Sequence, residues 1–545
     1  MNKIKFGLVG AVVMIIMAAN IGSAQSDYYK LSKNLGVQYD ILRALSVDFV
    51  DTINFERILR NGIDAMLEGL DPYTEYIPAE ETEAIDILTT SSYGGIGAAI
   101  RKVDSIGVII MQPYALSPAV TYGLEPGDVI LKIDGQDVKP FNADECSKMM
   151  RGVPGSKVVF KVQKGRTGEI KDIEVIRGKI HTPDVTYAGL LVNKKGEKTR
   201  DGYIDLTGFT VGGGEDFRKA VQQLKNEGAE RIIIDLRGNG GGVLDEAVDV
   251  VSAFVPKGSL VVKAKGRGVG NTFENSTTKE PIDTQIPVMV LVNSSSASAS
   301  EIVAGALQDW DRGFITGTRT YGKGLVQTFR SVGTDGRLKL TISKYYTPSG
   351  RCIQIMDYSH RNSDGSVASV PDSLKKEFKT LIKGRSVYDG GGITPDTVIT
   401  SKLVSRTAVA LVYSGVLDEY GVEFYKKNKT ISPAGSFLLS DSQYEDFIKF
   451  ASAKDLDLRS AAEVAFDQMV TRAKEEDLYE ADKEQFEALG KKVKLSKEDL
   501  LRAKRDEIKP MLEEVIVQKY YYNEGRVANS LKDDTQLWQA VEAWK

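Results

Sequence analysis

The stretch "NSSSASASEIVAGALQD", residues 293–309, follows the apolar run "IPVMVLV" of residues 286–292. The apolar run predicts a buried strand and the residues from Glu301 onward predict a helix, a pairing typical of an α/β architecture. Between them, five serines occupy the seven positions 294–300. Ser298 and Glu301 have the spacing of a capping box, but a capping serine contributes only about 1 kcal/mol and explains one serine. The composition therefore raises the question of whether one serine is a nucleophile.

A serine at the junction of a strand and a helix stands at the positive end of the helix, where an oxyanion would be stabilised. Its hydroxyl also needs a base. The chain has two histidines, His181 and His360, and "TYGKGLVQTF" offers Lys323 instead, between Gly322 and Gly324. A lysine base must be neutral, so burial would have to lower its pKa from about 10.4. Taken alone, these letters also fit a glycine turn with an exposed lysine.

Residues 91–179 predict a compact module of short strands and two small helices. "GGIGAAI" at Gly94–Ile100 and "SPAVTYGLEPGDVILKIDGQDV" at Ser117–Val138 resemble a PDZ domain. In PDZ domains a glycine loop turns backbone N–H groups toward a peptide's terminal carboxylate, and the peptide adds as a strand to the sheet edge. Here Ile96 and Ile100 would favour an apolar last residue. The resemblance assigns the loop to Gly95, Ile96, Gly97 and Ala98.

Further blocks follow the PDZ-like module in a fixed order. They are "DLRGNGGG" (235–242), "SSSASASEIVAGALQD" (294–309), "TYGKGLVQ" (320–327), "YYTPSGRCIQ" (345–354) and "GGGITPD" (390–396). These blocks and their order resemble the carboxyl-terminal processing peptidases, also called tail-specific proteases, over roughly residues 35–400. The resemblance implies a serine endopeptidase with a Ser-Lys dyad. By position, it assigns the nucleophile to Ser298, the general base to Lys323 and the residue that orients the amine to Gln327.

The resemblance also implies an oxyanion hole. One donor would be the N–H of Ala299, and the other the N–H of either Gly241 or Gly242. Asp309 matches a family aspartate at the end of the serine helix and is expected to support the site structurally. Gly240 departs from the family, which often has proline there, and this departure concerns the rigidity of the loop.

The rest of the chain completes a multidomain α/β prediction. Residues before the PDZ-like module space their apolar side chains at helical intervals, strands and helices alternate in the central part, and no strand pattern follows residue 405. We predict an α/β protease core with an inserted or preceding PDZ domain. The predicted boundaries are a signal peptide (1–24), an N-terminal helical region (28–90), the PDZ domain (91–179), the α/β serine peptidase core (180–400) and a C-terminal helical domain (405–545).

Composition excludes several classes of function. A net charge of −4 over 545 residues lacks the basic footprint of a nucleic-acid-binding protein. Two histidines without an H-E-x-x-H motif make a zinc site improbable, and we expect neither metal nor cofactor. Cys146 and Cys352 fall in different predicted domains, so a disulfide scaffold is not expected. Cys352 has no base near it in sequence and is the weaker nucleophile.

The first residues predict export. Two lysines precede an apolar run that ends near Ala19, and small residues follow as far as Ala24. This pattern is typical of a signal peptide cleaved after Ala24, which would deliver the chain to the periplasm. An uncleaved signal would instead anchor the chain to a membrane.

The sequence therefore predicts an exported serine endopeptidase that cleaves proteins or peptides presenting free C-termini to the PDZ domain. The helical regions offer surfaces for a homo-oligomer. Two alternatives stay open: a non-catalytic PDZ adaptor, and an acyl-thioester enzyme, because glycine-lined oxyanion loops on α/β cores serve that chemistry too.

Overall fold

The computed structural model describes residues 29–103, 106–193, 196–268, 270–361 and 366–544. The predicted signal peptide lies outside these residues. None of the helices in the described ranges is long and apolar enough to cross a membrane. The chain divides into two compact units, Met1–Tyr76 and Ile77–Lys545.

The described part of the first unit, residues 29–76, contains two helices, α1 (residues 29–48) and α2 (Phe55–Glu68). Helix α2 begins after Asn54, whose side chain accepts a hydrogen bond from the Arg57 N–H at 2.9 Å, as expected of an N-cap asparagine. Three short elements come next in the chain: β1 (Glu75–Ile77), a 3-10 turn (Ala79–Glu81) and α3 (Thr82–Thr90).

A small six-stranded sheet with two helices follows. Its elements and the pair of strands that flank it are β2 (Ser92–Gly95), β3 (Ala98–Val103), β4 (Gly107–Pro113), α4 (Pro118–Thr121), β5 (Val129–Ile133), β6 (Gln136–Asp137), α5 (Ala143–Met150), β7 (Lys157–Gln163), β8 (Ile170–Ile176) and β9 (Gly178–His181). The sheet order is β3-β4-β5-β7-β8, with β6 paired to β5. Among the described strands, β3 forms an edge of this sheet, and α5 packs beside it. Strands β2 and β9 pair with each other, so the chain enters and leaves the module side by side.

The central part of the chain alternates strands and helices, as its sequence predicts. Its elements are β10 (Val185–Val192), β11 (Lys198–Leu206), α6 (Gly213–Asn226), β12 (Arg231–Asp235), α7 (Leu244–Val251), β13 (Leu260–Gly266), β14 (Phe273–Ser276), β15 (Val288–Val292), α8 (Ala299–Asp309), β16 (Gly313–Gly317), β17 (Leu325–Val332), β18 (Gly336–Tyr346), β19 (Met356–Arg361), β20 (Val367–Ser369), a 3-10 turn (Asp372–Leu374), β21 (Glu377–Lys379), β22 (Ser386–Tyr388) and β23 (Thr397–Val398).

These strands form a sheet of order β10-β11-β12-β15-β16-β23, parallel except for the β10–β11 pair. Strand β15 is buried along its whole length, which explains its uninterrupted apolar sequence. Helices α6, α7 and α8 pack on one face of the sheet. A second sheet contains β14, β13, β18 and β17 in that order. The carboxyl ends of β12 and β15 lie side by side, so the segments that follow both strands meet there.

The C-terminal part of the described chain is helical. Its elements are α9 (Arg406–Ser414), α10 (Val416–Lys427), a 3-10 turn (Ala434–Ser436), α11 (Asp441–Ser452), α12 (Ala461–Glu475), α13 (Lys483–Val493), α14 (Lys497–Ala503), α15 (Arg505–Ser530) and α16 (Thr535–Ala543). Most of these helices share a core of their own. The end of α15 and all of α16 instead cover the second face of the central sheet, where Leu537 and Val541 join a cluster with Met289 and Leu291. The predicted α/β multidomain class is confirmed.

Candidate active site

Ser298 lies between β15 and α8 in a strained backbone conformation. Its φ is +55° and its ψ is −113°. An ordinary N-cap residue adopts the extended region, so capping alone does not call for this geometry. Left-handed and neighbouring conformations cost a non-glycine residue about 1–3 kcal/mol and cluster at functional sites. A sharp strand-to-helix turn of this kind projects the nucleophile of hydrolases away from the backbone.

Two of the neighbouring serines, Ser296 and Ser300, bind the segment after β12 through their hydroxyls. The Ser296 hydroxyl donates to the Leu236 carbonyl at 2.7 Å, and the Ser300 hydroxyl donates to the Asn239 carbonyl at 2.9 Å. The Ala297 N–H also donates to the Asn239 carbonyl, at 3.0 Å. Small polar residues are therefore needed here to bind the segment after β12 to the segment after β15.

The glycine loop after β12 approaches Ser298 closely. Gly241 has a φ of +99°, and a Cβ at this position would lie 2.8 Å from the Ser298 Cβ and 2.9 Å from the Ala299 nitrogen. The Gly241 N–H donates to the Asn239 Oδ1 at 2.9 Å. Gly242 pairs with Phe209. The structure thus brings Gly241, one of the two candidate oxyanion glycines, next to Ser298 and Ala299, whereas Gly242 lies against Phe209.

Glu301 connects the serine segment to the predicted lysine. Its Oε2 accepts the N–H groups of Ser298 and Lys323, both at 2.9 Å. Its Oε1 accepts the Thr320 hydroxyl at 2.6 Å and the Gly322 N–H at 2.7 Å. One side chain therefore fixes the backbone of both predicted dyad residues, which lie 25 positions apart in the sequence.

The Glu301 carboxyl is buried, and its ionisation is perturbed. Burial raises the pKa of Glu301 from 4.5 to about 7, against the lowering effect of the four hydrogen bonds it accepts. The ionised form is the one that accepts from all four donors, because a protonated oxygen becomes a donor itself. The bridge between the two backbones is therefore complete only in the deprotonated state.

Tyr345, on β18, holds the other side of the Ser298 backbone. Its hydroxyl donates to the Ser298 carbonyl at 3.1 Å. Burial raises the pKa of Tyr345 well above its usual range, so the hydroxyl remains a donor. Gln327 lies on the adjacent β17, and its side-chain amide donates to the Thr341 hydroxyl at 3.2 Å. Ser298 is thus held at its N–H by Glu301 and at its carbonyl by Tyr345.

Comparisons with known proteins match three parts of the chain. The model of peptidase family S41 matches residues 200–357, a PDZ domain model matches residues 94–176, and a "Probable PDZ-protease, C-terminal helical domain" model matches residues 407–543. A probable CtpA-like serine protease of Staphylococcus aureus (strain MRSA252) is 34% identical over 350 residues, which cover 64% of this chain and 68% of the relative. The carboxy-terminal-processing protease of Bartonella bacilliformis is 32% identical over 362 residues, which cover 65% of this chain and 80% of the relative.

The chain belongs to peptidase family S41. It is a serine protease of the carboxy-terminal processing type with a PDZ domain. A solved structure, the photosystem II D1 C-terminal processing protease, is 25% identical with a TM-score of 0.35 and covers 66% of this chain and 86% of that one. Membership of the family sets aside the non-catalytic adaptor and the acyl-thioester enzyme.

Of the other residues named from the sequence, His181, Cys352 and Asp309 lie in the described part of this S41 peptidase. The His181 Nδ1 lies 3.3 Å from the Ser92 hydroxyl, in the β2–β9 pair. Burial raises the pKa of the Cys352 thiol, which disfavours the thiolate that a nucleophile requires. Asp309 forms a buried ion pair with Arg351 at the opposite end of α8 from the nucleophile segment. The side chain of His360 lies outside the described part of the chain.

The PDZ loop of the S41 peptidase joins β2 to β3, in the module that precedes the core. The carbonyls of Ile96 and Gly97 accept the N–H groups of Ala119 and Tyr114, both at 2.8 Å. The Ile96 side chain is only 1% exposed and lies in the core of the module. The role of Ile96 and Ile100 in favouring an apolar last residue stays a prediction. Ile100 is partly exposed on β3.

Three supporting residues of this site escaped the sequence analysis. Glu301 was interpreted only as the acceptor of a capping box, and that bond to Ser298 is present. Its bonds to the residues around Lys323 depend on a tertiary contact that no local spacing encodes. Tyr345 and Asn239 both lie within sequence blocks that resemble the peptidase family. Their place in those blocks was the only sign in the sequence that they support the site.

Proposed function

We propose that this S41 peptidase cleaves peptide bonds with a dyad of Ser298 and Lys323. Ser298 attacks the scissile carbonyl, and Lys323 takes the hydroxyl proton and returns it to the leaving amine. The lysine then activates water, which releases the acyl group. Gln327 orients the amine. The strained backbone of Ser298 is the observation that carries this proposal, because neither capping nor loop packing requires it.

The oxyanion hole of the proposed reaction consists of the Ala299 N–H and an N–H of the Gly241–Gly242 segment. The closeness of Gly241 to the Ser298 Cβ and the Ala299 nitrogen supports this arrangement. Donors held in place before the reaction stabilise the developing charge without reorganising, and one such donor is worth about 3–4 kcal/mol. Asn239, which is fully buried, keeps this loop in place.

In this proposal, the PDZ domain recognises substrates by their C-terminal ends. A peptide would add along β3, an edge among the described strands, with its carboxylate at the loop of residues 95–98. Backbone N–H groups of Gly95, Ile96, Gly97 and Ala98 would pair with that carboxylate. Export to the periplasm after cleavage behind Ala24, and association through the helical regions, belong to the same proposal.

A serine-directed covalent probe tests the dyad. We expect a fluorophosphonate to label the wild-type protein on Ser298 and to leave Ser298→Ala unlabelled, with proteolysis lost in the same variant. Ser294→Ala is the matched control, because Ser294 is an exposed serine of the same segment and should keep both labelling and cleavage. Cleavage that persists in Ser298→Ala would refute the assignment of the nucleophile.

A further inference from the structure

Arg237 joins the glycine loop of the core to the last helix of the described chain. It lies two residues after Asp235, the end of β12, and its guanidinium pairs with that carboxylate. The same guanidinium donates to the Asp534 Oδ2 at 2.6 Å and to the Gln536 Oε1 at 3.0 Å. Asp534 caps α16 and Gln536 lies in its first turn. Two distant parts of the chain therefore share one arginine.

The core side of this contact leads directly into the active site. Asp235 is buried, and it accepts the Tyr203 hydroxyl at 2.7 Å and the Arg237 N–H at 2.9 Å. The residues immediately before and after Arg237 bind the serine segment: the Leu236 carbonyl accepts from Ser296, and the Gly238 N–H donates to the Asn293 Oδ1 at 3.1 Å. A displacement of Arg237 would therefore move the start of the glycine loop.

The helix side of the contact is itself firmly held. The apolar face of α16 packs into the cluster that covers the second face of the sheet. The Gln536 amide donates to the Ile399 carbonyl at 2.6 Å, and Asp534 accepts the Leu537 N–H at 2.9 Å. Asp534 and Gln536 lie at the start of this packed helix. They can therefore fix the position of the Arg237 guanidinium rather than follow it.

We propose that Asp534 and Gln536 are positioning residues of the peptidase. Through Arg237 they hold residues 236–242 against the serine segment, so that the C-terminal helical domain completes the oxyanion hole. This inference rests on the proposed function for its effect on catalysis. Donors that are only slightly displaced lose much of their effect in the transition state, and a displacement of about 1 Å can cost about 100-fold.

Asp534→Asn isolates this role, because asparagine caps a helix as well as aspartate does but lacks the charge that pairs with Arg237. We expect kcat to fall about 10- to 100-fold with little change in KM. Affinity for a peptide boronate, which mimics the tetrahedral state, should fall in parallel. Gln536→Met keeps the volume of α16 and removes the second acceptor, and it should give a smaller loss of the same kind. Asp533→Asn is the matched control, since its carboxylate lies 3.7 Å from Lys532.

A second measurement separates this inference from the proposed function. In a Ser298→Ala background, Asp534→Asn should increase amide hydrogen exchange in residues 236–242, and Asp533→Asn should not. Unchanged exchange together with unchanged kcat would overturn the positioning role, and so would a fall in kcat matched by a rise in KM and a loss of the thermal transition. Increased exchange in a protein that neither cleaves peptides nor reacts with the probe would keep the contact and refute the peptidase dyad.

Discussion

Two glycine-containing loops of this protein are proposed to bind negative charge, but they are built differently. The core loop, residues 237–242, is held by side chains: Asn293 accepts the Gly238 N–H, and serine hydroxyls of the adjacent segment donate to the carbonyls of Leu236 and Asn239. In the PDZ loop, residues 95–98, the carbonyls of Ile96 and Gly97 accept backbone N–H groups instead.

The difference corresponds to the two tasks. An oxyanion exists only briefly, and its donors must be in position before it forms. A terminal carboxylate is present before and after binding, so the loop that receives it can adjust to each peptide. Glycine content alone therefore does not distinguish a catalytic loop from a binding loop, whereas the buried side chains around the loop do.

The largest effect is expected from replacing Lys323, the proposed base. Lys323→Arg should abolish cleavage, because a guanidinium stays charged and cannot take the Ser298 proton. Binding of a C-terminal peptide to the PDZ loop should be unchanged in the same variant. Steady-state cleavage and titration calorimetry on the full chain would test both statements. Cleavage by Lys323→Arg above about one ten-thousandth of the wild-type rate would exclude lysine as the base.

Gly241→Ala should lower kcat by up to about 100- to 1000-fold, because the added methyl group would displace the loop whose N–H is proposed as an oxyanion donor. Its φ of +99° and the close approach to the Ser298 Cβ leave no room for a methyl group. Gly240→Ala provides the control, since a Cβ there has nothing within 4 Å. Short and long peptides should be affected alike. Equal rates for Gly241→Ala and Gly240→Ala would show that the core loop is not tightly held against Ser298.

Amidating the C-terminus of a substrate acts on the PDZ loop alone. Removing the terminal charge should weaken binding to the full chain by about 1.5–3 kcal/mol, as for a lost charged hydrogen-bond partner. Cleavage of long substrates should slow, while short peptides bound directly at Ser298 should be much less affected. Titration of a Ser298→Ala protein with matched acid and amide peptides measures this difference. Identical affinities would mean that the module does not recognise chain ends.

The smallest effect is a pH dependence confined to the core loop. Below about pH 7 the Glu301 bridge becomes protonated, so the rate should fall by up to about tenfold per pH unit, while binding at the PDZ loop stays level. Glu301→Gln should show no fall in rate below about pH 7, although its maximum rate should be lower than that of the wild type. His181→Gln and His360→Gln should keep the fall in rate. A step near this pH that disappears in a histidine variant would contradict the dyad.

The raised pKa of Glu301 acts on stability in the opposite direction. Between pH 4.5 and about 7 the folded chain binds a proton at Glu301 that the unfolded chain releases. The stability contributed by this group is therefore fully present below pH 4.5 and is lost as the pH rises through about 7. The difference in unfolding free energy between wild type and Glu301→Gln should change across this window by on the order of 3 kcal/mol. Chemical denaturation at several pH values would measure it.

Sequence patterns were sufficient to predict the structure wherever the contact that determines it is local. The uninterrupted apolar run of β15 predicted a buried strand, and the spacing of Ser298 and Glu301 predicted a bond that the structure contains. The burial of Ile96 could not be inferred in the same way, because a residue inside a glycine loop gives no periodicity from which its direction follows. The dyad and its orienting glutamine were assigned by resemblance, and they remain predictions.

Contacts between distant segments were beyond the sequence for a physical reason. The bonds from Glu301 to Thr320 and Gly322 form only after β15, α8 and the loop before β17 have packed together. The contact of Arg237 with Asp534 joins residues 297 positions apart, and each looks like an ordinary surface charge in its own stretch. Only the folded arrangement reveals that these charges face each other.

The covering of the central sheet by α16 has a consequence for the order in which the protein matures. Contacts between residues far apart in sequence form late, because a long loop must close before they contribute. The glycine loop and the serine segment lie near the middle of the chain, and Asp534, which pairs with Arg237, follows that arginine by 297 residues. In the positioning role proposed for Asp534 and Gln536, the glycine loop reaches its catalytic arrangement only after α16 has packed on the sheet.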